Sequence, residues 1–204
     1  MKKFEMSKEI KELINEIDVS ESNYEKASNR YKAIANYIKE SDLAEYSPDI
    51  YLQGSIKLGT AIKPLTEDGA YDIDIVCNMT KKRRHHQTQR ELKDELGKVV
   101  KNYSIEHSME NFPKESNRCW TLNYLDESNF HIDILPAVPW NDTDDGNIAI
   151  SDKRSDNYDD ITFDWEVSNP KGYSDWFKKQ SDFQTIKESY AKRFYAKIEE
   201  IPDY

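Results

Sequence analysis

The chain has 204 residues, a formal net charge of −10, and 37% hydrophobic and 33% charged residues. This length allows one or two domains with a substantial core, and 4 Trp, 13 Tyr and 7 Phe residues argue against wholesale disorder. An acidic chain lacks the broad basic surface of a protein that binds long nucleic acids. The chain also contains no run of 18 apolar residues of the kind that would predict a membrane span. We therefore expect a soluble, cytoplasmic protein with no membrane partner and no signal peptide after Met1.

Two helices are predicted at the start of the chain. The first covers residues 4–17 and carries one apolar face. The second begins at a capping box formed by Ser22 and Glu25. Its apolar residues recur at helical spacing and predict a stripe that packs in the core: Tyr24, Ala27, Tyr31, Ile34, Ala35 and Ile38.

The middle of the chain alternates between strand and helix patterns. A helix is predicted at 87–102, and strands are predicted at 49–53, 71–78, 103–109, 118–125 and 129–135. The segment 126–129 is predicted to be a hairpin turn, so that the last two strands lie side by side. Helices mixed with a largely hairpin-connected sheet indicate a mixed α/β fold.

Two charged segments and the end of the chain complete the prediction. Residues 141–166 are strongly acidic and favour a solvated loop with room for one short strand pair. The basic run 81–86 favours a solvated turn, although phosphate contact, nucleic-acid docking and metal binding by its two histidines are alternatives. Closing helices are predicted at 173–180 and 183–198.

A few single residue types carry weaker predictions. Cys77 and Cys119 fall in predicted strands and favour buried, reduced thiols over a disulfide or a zinc site. His131 lies near a strand carboxylate and is either a supporting group of a site or a structural hydrogen-bonding residue. The tryptophans favour core packing over base stacking: Trp120, Trp140, Trp165 and Trp176.

Three carboxylates interrupt apolar strands and predict a metal site. Asp72 and Asp74 share one strand face, about 7 Å apart, because successive side chains point to opposite faces. If the strand of Asp133 lies beside theirs, three carboxylates converge in a set that suits Mg²⁺ or Mn²⁺. Two such ions, roughly 3.5–4 Å apart, would form the clamp used for in-line displacement at phosphorus. Solvent-facing acids are the alternative, but they do not account for the Ile and Val residues around each Asp.

A short loop upstream predicts a phosphate-binding element. It reads Gln53-Gly54-Ser55 and joins a predicted strand to a predicted helix start. Gly54 allows the backbone to approach a ligand closely, and Ser55 offers a hydroxyl and an N–H group. Backbone donors at a helix start bind phosphate. A Gly-Ser pair alone is common in turns, so its weight comes from the carboxylates that follow.

These motifs together resemble the nucleotidyltransferase superfamily that includes DNA polymerase beta. The amino-acid sequences of segments 53–60, 71–76 and 130–139 are similar to those of the bacterial enzymes related to cyclic GMP-AMP synthase and oligoadenylate synthase, the CD-NTases of the SMODS type. Segments 118–120 and 169–177 are also similar, so the resemblance runs from about Tyr24 to the end. It implies a polymerase beta-like fold, with a mixed, largely antiparallel sheet backed by helices that include an N-terminal spine helix.

The resemblance also implies roles for the site residues. Asp72 and Asp74 would bind both Mg²⁺ or Mn²⁺ ions, and Asp133 would bind the catalytic ion and serve as base unless the ion alone activates the hydroxyl. The loop residues Gln53, Gly54 and Ser55 would hold the donor triphosphate. The partners would be nucleoside triphosphates such as ATP or GTP, with no long nucleic acid required. The products would be cyclic di- or oligonucleotides that act as second messengers in anti-phage defence.

The expected organisation is one catalytic core over 1–204. It divides into N-terminal helices (1–43), a catalytic sheet (49–140), an acidic loop region (141–172) and closing helices (173–204). Members of the family continue for roughly an equal length as a helical half, so we expect this chain to be the catalytic half, with a flank open to self-association. Alternative functions are a toxin-type nucleotidyltransferase that modifies RNA or protein, and a nucleotide-binding fragment without turnover.

Overall fold

The computed structural model of the chain describes residues 8–66, 69–124, 129–143 and 145–181. Within these ranges the helices are α1 (Lys8–Ile17), α2 (Glu21–Glu40), α3 (Gly54–Leu58), α4 (Gln89–Glu106) and α5 (Pro170–Gln180). The strands are β1 (Pro48–Gln53), β2 (Tyr71–Met79), β3 (Lys114–Glu115), β4 (Trp120–Tyr124), β5 (Phe130–Pro139), β6 (Ile148–Ile150) and β7 (Glu166–Ser168). Short 3₁₀ turns occur at Asp42–Tyr46 and Arg84–His86. The predicted helix at 183–198 and residues 126–128 of the predicted turn lie outside the described residues.

All seven strands in the described ranges join one mixed sheet. Its main path runs β1-β2-β5-β4-β3, and β6 pairs with the later part of β5 and carries β7 at its edge. β2 and β5 are parallel, whereas the other paired strands are antiparallel. This confirms the predicted mixed, largely antiparallel sheet and the predicted pairing of β4 with β5.

The main core lies between the sheet and the helices α2 and α4. The predicted stripe of α2 is buried from Ala27 to Ile38, with Tyr24 partly buried against it. The same cluster contains isoleucines from the two central strands and leucines from α4: Ile73, Ile75, Ile132, Ile134, Leu92 and Leu96. Because strand side chains alternate, filling this face with isoleucine turns the intervening carboxylates to the other face. The core therefore fixes the side of the sheet on which the acidic residues lie.

The ends of two helices differ from the prediction. Ser20, not Ser22, caps α2, because its side chain accepts a hydrogen bond from the Asn23 N–H. The strand predicted at 103–109 is wrong, because α4 continues to Glu106. Tyr103 is buried and continues the helical spacing of the preceding valines, so packing extends the helix by another turn.

The acidic segment 141–166 is more ordered than a solvated loop. Its strand β6 is fully buried, because it pairs on both edges with β5 and β7. Asp152 is held by Arg154 and by Arg118, whose Nε donates to Asp152 Oδ2 at 2.8 Å. These hydrogen bonds keep the pKa of Asp152 well below its usual range. Charge pairing, which the sequence pattern did not reveal, therefore allows this acidic chain segment to pack.

The basic run 81–86 is also only partly a solvated turn. The Lys82 side chain is 12% exposed and its Nζ lies 2.6 Å from Glu95 Oε2. Arg83 donates from Nε to Asp142 Oδ1 at 2.8 Å, and the Arg84 guanidinium lies 3.8 Å from the centre of the Trp140 ring. Three of its basic side chains are thus engaged within the protein.

The single-residue predictions have mixed outcomes. Cys77 is buried in β2, and Cys119, which is partly buried just before β4, is also a free thiol. Trp120 and Trp165 are buried in the core, whereas core packing is wrong for Trp176, which is 53% exposed on α5. None of the helices in the described ranges has the length and apolar composition to cross a bilayer.

Candidate active site

The parallel pairing of β2 with β5 brings the predicted carboxylates together. In this register Asp74 lies opposite Asp133, and Asp72 lies opposite His131. Neighbouring strands in a sheet lie about 4.8 Å apart, so the carboxylates of Asp74 and Asp133 are adjacent on the face away from the main core. On the other edge of β2, Gln53 at the end of β1 lies opposite Asp74. Three of the predicted site residues therefore form one row across the sheet.

The charge at this row is unfavourable for ionised carboxylates. Burial raises the pKa of Asp74 to about 6, and repulsion from Asp133 and Asp72 adds to the rise. Desolvation and nearby like charges both disfavour the ionised form of a carboxyl group. A divalent cation bound here would reverse that effect, because it would supply the opposite charge at the same place.

Asp72 takes a different position from its two partners. Its side chain is 73% exposed, and its Oδ1 lies 3.7 Å from Nδ1 of His131. Among the residues that the structure describes, no group of three Asp, Glu, His or Cys side chains lies close enough as it stands to enclose a metal ion. The exposed Asp72 still shares a strand face with Asp74, two residues along β2.

The Gly-Ser loop lies directly against the carboxylate row. Gly54 begins α3 with φ +66, a left-handed conformation that favours glycine. A Cβ on Gly54 would lie only 2.1 Å from Oδ2 of Asp74, so the absence of a side chain is what allows this approach. α3 is short and ends at Leu58, with Gly59 as its C-terminal cap, and the Thr60 N–H donates to the Ser55 carbonyl at 2.9 Å.

An open cavity of about 480 Å³ adjoins the loop, between α3 and the start of α5. Gln53, Gly54 and Lys57 line one side of it, and Tyr173 and Ser174 line the other. The start of α5 is fixed by Asn169, whose side chain accepts a hydrogen bond from the Gly172 N–H at 2.7 Å. The cavity gives a ligand at the loop room to extend away from the carboxylates.

Two neighbours of the row were not predicted as site residues. Thr121 on β4 lies opposite Asp133, and its hydroxyl donates to Asp133 Oδ1 at 2.5 Å. Cys119 lies close enough for Asp133 and Asp74 to act on it, and burial together with those charges raises the pKa of its thiol to about 12. Both effects disfavour the thiolate, which is the nucleophilic form of cysteine. Thr121 could have been found only from the exact register of the β4–β5 pair.

A mixed sheet with carboxylates on two adjacent parallel strands, beside a Gly-Ser turn that opens a helix, defines a polymerase beta-like nucleotidyltransferase fold. Residues 4–181 match the model of the Second Messenger Oligonucleotide or Dinucleotide Synthetase domain, and the chain belongs to that family. A curated relative, the c-di-GMP synthase of Roseivirga ehrenbergii, is 25% identical over 164 residues. That alignment covers 78% of this chain but 39% of the relative, so the chain spans about two fifths of that protein.

Solved structures of CD-NTases share the fold. The CD-NTase CdnG of Bradyrhizobium diazoefficiens, solved with GTP, is 21% identical with a TM-score of 0.61, over 79% of this chain and 43% of that one. DncV of Escherichia coli, solved with 3′-deoxy GTP, is 16% identical with a TM-score of 0.61, over 82% and 58%. The c-UMP-AMP synthase CdnE of Rhodothermus marinus is 14% identical with a TM-score of 0.54, over 89% and 67%. These likenesses confirm the predicted fold class.

Proposed function

We propose that the chain is the catalytic part of a nucleotidyltransferase that makes cyclic di- or oligonucleotide second messengers from nucleoside triphosphates. The observation that carries this proposal is the adjacency of Asp74 and Asp133 on parallel strands, with the backbone of Gly54 packed against Asp74. Membership of the synthetase family supports the reaction class. A role in bacterial anti-phage defence, in the cytoplasm, is part of the proposal and comes from the resemblance.

The site residues fit a divalent cation. Carboxylate oxygens are the ligands that Mg²⁺ and Mn²⁺ prefer, and a positive charge would offset the burial and the repulsion that raise the pKa of Asp74. Asp72, Asp74 and Asp133 would hold the metal, as a pair of ions. Bound there, the ions would neutralise phosphate charge and activate a hydroxyl.

The residues of the chain divide the remaining tasks. Gln53, Gly54 and Ser55 would bind the donor triphosphate, with the cavity beside α5 receiving part of the nucleotide. The 3′-hydroxyl (or 2′-hydroxyl) oxygen of a second nucleotide bonds to the α-phosphorus while the bond to pyrophosphate breaks. The hydroxyl proton passes to Asp133 or to solvent. A second round of the same step closes the ring and releases a second pyrophosphate.

The chain has two alternative functions to set against this proposal. A nucleotidyltransferase that modifies RNA or protein would use the same carboxylates, although the net charge of −10 favours mononucleotides over long nucleic acids. A chain that covers 39% of a curated relative could also bind nucleotide without turnover.

Self-association through α5 fits a chain that binds nucleotide without turnover, because Tyr173 and Trp176 expose about half of their surface there. Size-exclusion chromatography of the wild type against Trp176→Ser would test it, and an unchanged elution volume would contradict it.

The test of the proposed function combines product formation and binding. The chain is incubated with α-³²P-labelled ATP, GTP, CTP and UTP plus Mg²⁺ or Mn²⁺, treated with phosphatase, and its products are separated. We expect a phosphatase-resistant product with the wild type and none with Asp74→Asn. If no product forms, metal-dependent nucleotide binding that Asp74→Asn abolishes would support the binding-only alternative. The proposed function would be refuted if the wild type formed no product and also showed no metal-dependent nucleotide binding.

A matched control separates loss of the site from loss of any acidic charge. Asp160→Asn removes an exposed carboxylate from the loop between β6 and β7 and changes the net charge by the same amount. It should behave like the wild type in both assays. Omitting one nucleotide at a time from the wild-type reaction would identify the bases used.

A further inference from the structure

Thr121 connects a third strand to the carboxylate row. It lies on β4, directly opposite Asp133 in the antiparallel β4–β5 register. Its Oγ1 donates to Asp133 Oδ1 at 2.5 Å, a length typical of a hydroxyl that donates to a charged carboxylate. This bond occupies one oxygen of the carboxylate and leaves Oδ2 outside it.

The hydroxyl of Thr121 is itself held in place. A β-branched residue on a strand has a restricted χ1 angle, so the hydroxyl has few alternative positions. Ser116 Oγ lies 3.3 Å from Thr121 Oγ1, within reach of a second hydrogen bond to the same hydroxyl. Ser116 is anchored by a turn, in which its N–H donates to the Cys119 carbonyl at 2.9 Å, and the buried Lys93 donates to the Ser116 carbonyl. The chain of contacts from Lys93 to Asp133 thus starts at a fixed helix residue.

We propose that Thr121 is a positioning residue, which fixes the orientation of the Asp133 carboxylate so that its free oxygen is presented to a divalent cation beside Asp74. The inference rests on the proposed function, because it assumes that Asp133 binds the cation. Groups that orient a metal ligand without touching the metal typically change metal affinity or activity by about 10–100-fold when they are removed.

The competing explanation is that Thr121 and Asp133 form an ordinary cross-strand pair. Such pairs contribute roughly 0.2–1 kcal/mol to a sheet. In that case removal of the hydroxyl would lower stability slightly and would leave cation affinity unchanged. The two explanations therefore differ in a quantity that can be measured without any turnover.

The experiment compares Thr121→Val, which keeps the branched shape but lacks the hydroxyl, with Thr121→Ser, which keeps the hydroxyl. Mn²⁺ dissociation constants are measured by titration calorimetry, and melting temperatures are measured in EDTA. We expect Thr121→Val to weaken Mn²⁺ binding about 10-fold and Thr121→Ser to stay within about twofold of the wild type. Thr121→Ala also lacks the hydroxyl and must show the same loss if Thr121→Val does not fold.

Asp133→Asn shows which proposal a negative result affects. If Asp133→Asn weakens Mn²⁺ binding but Thr121→Val and Thr121→Ala bind like the wild type, the positioning role of Thr121 is overturned and the proposed function stands. A loss in Thr121→Ser as large as that in Thr121→Val also overturns it, because the hydroxyl would not be the cause. If Asp133→Asn itself binds Mn²⁺ like the wild type, the metal site of the proposed function fails, and the inference fails with it.

Discussion

Replacing Gly54 with alanine perturbs the contact between the Gly-Ser loop and the carboxylate row. The left-handed backbone at Gly54, with φ +66, costs a residue that has a Cβ about 1–2 kcal/mol. The new Cβ would lie 2.1 Å from Oδ2 and 3.2 Å from Cβ of Asp74, and such an overlap costs a further 1–3 kcal/mol or so. The nearest atoms belong to the Asp74 side chain, so we expect this side chain to turn and its carboxylate to leave the row.

Gly59 provides a matched control for the backbone part of this effect. It has φ +67, almost the same as Gly54, but a Cβ there would meet nothing within 4 Å. Gly59→Ala should therefore lower the free energy of unfolding by about 1–2 kcal/mol and leave Mn²⁺ binding unchanged. Gly54→Ala should lower it by about 2–5 kcal/mol and also weaken Mn²⁺ binding about 10-fold.

Urea denaturation in EDTA gives the two free energies, and titration calorimetry gives the two Mn²⁺ affinities. The reasoning would be refuted if both variants lost the same stability, because the contact with Asp74 would then contribute nothing. It would also be refuted if Gly54→Ala bound Mn²⁺ as tightly as the wild type.

Two further predictions concern the charge of the site and the packing of the core. Folding raises the pKa of Asp74 from 3.8 to about 6. The ionised form of Asp74 therefore lowers the free energy of unfolding of the metal-free chain by up to ~3 kcal/mol above pH 6, and this destabilisation vanishes below pH 4. Asp74→Asn in EDTA should thus be more stable than the wild type at pH 8, with the gap closing towards pH 4; a gap independent of pH in urea denaturation would contradict this. Gly97→Ala should destabilise the chain by roughly 1–3 kcal/mol although alanine favours helices, because its Cβ would lie 2.3 Å from the Trp120 ring. An increase in melting temperature would show that the ring can move aside.

Much of the site was predictable because it depends on local patterns. Alternation along one strand is enough to put Asp72 and Asp74 on the same face, and the alternating Ile73 and Ile75 identify the opposite face as the core. The same reasoning applies to His131 and Asp133 on β5. Gly54 was predicted to allow close approach of the backbone, and what approaches it in the structure is the carboxylate of Asp74. The roles of Asp72, Asp74, Asp133 and the loop residues in binding metal and nucleotide stay predictions.

Local patterns failed where long-range packing or pairing intervened. A buried Tyr103 is compatible with either a strand or a helix; in the structure it belongs to α4 and packs in the core against Tyr37 of α2. The acidic residue Asp152 is buried because Arg118 from another segment and its near neighbour Arg154 neutralise it, which the acidic composition of 141–166 does not indicate. Lys82 is likewise largely buried because its side chain pairs with Glu95, 13 residues later in the chain.

Strand periodicity therefore gave the faces of the sheet and the identity of the acidic residues, because a side chain's direction depends only on its neighbours along the chain. Which residues stand beside each other across strands is a different matter. The alignment of Asp74 with Asp133 depends on the register of β2 and β5, which are joined by a long segment, and the alignment of Asp133 with Thr121 depends on the register of β4 and β5. That register is selected by the whole core at once, since a shift of one residue would turn the isoleucines outward and the carboxylates into the core.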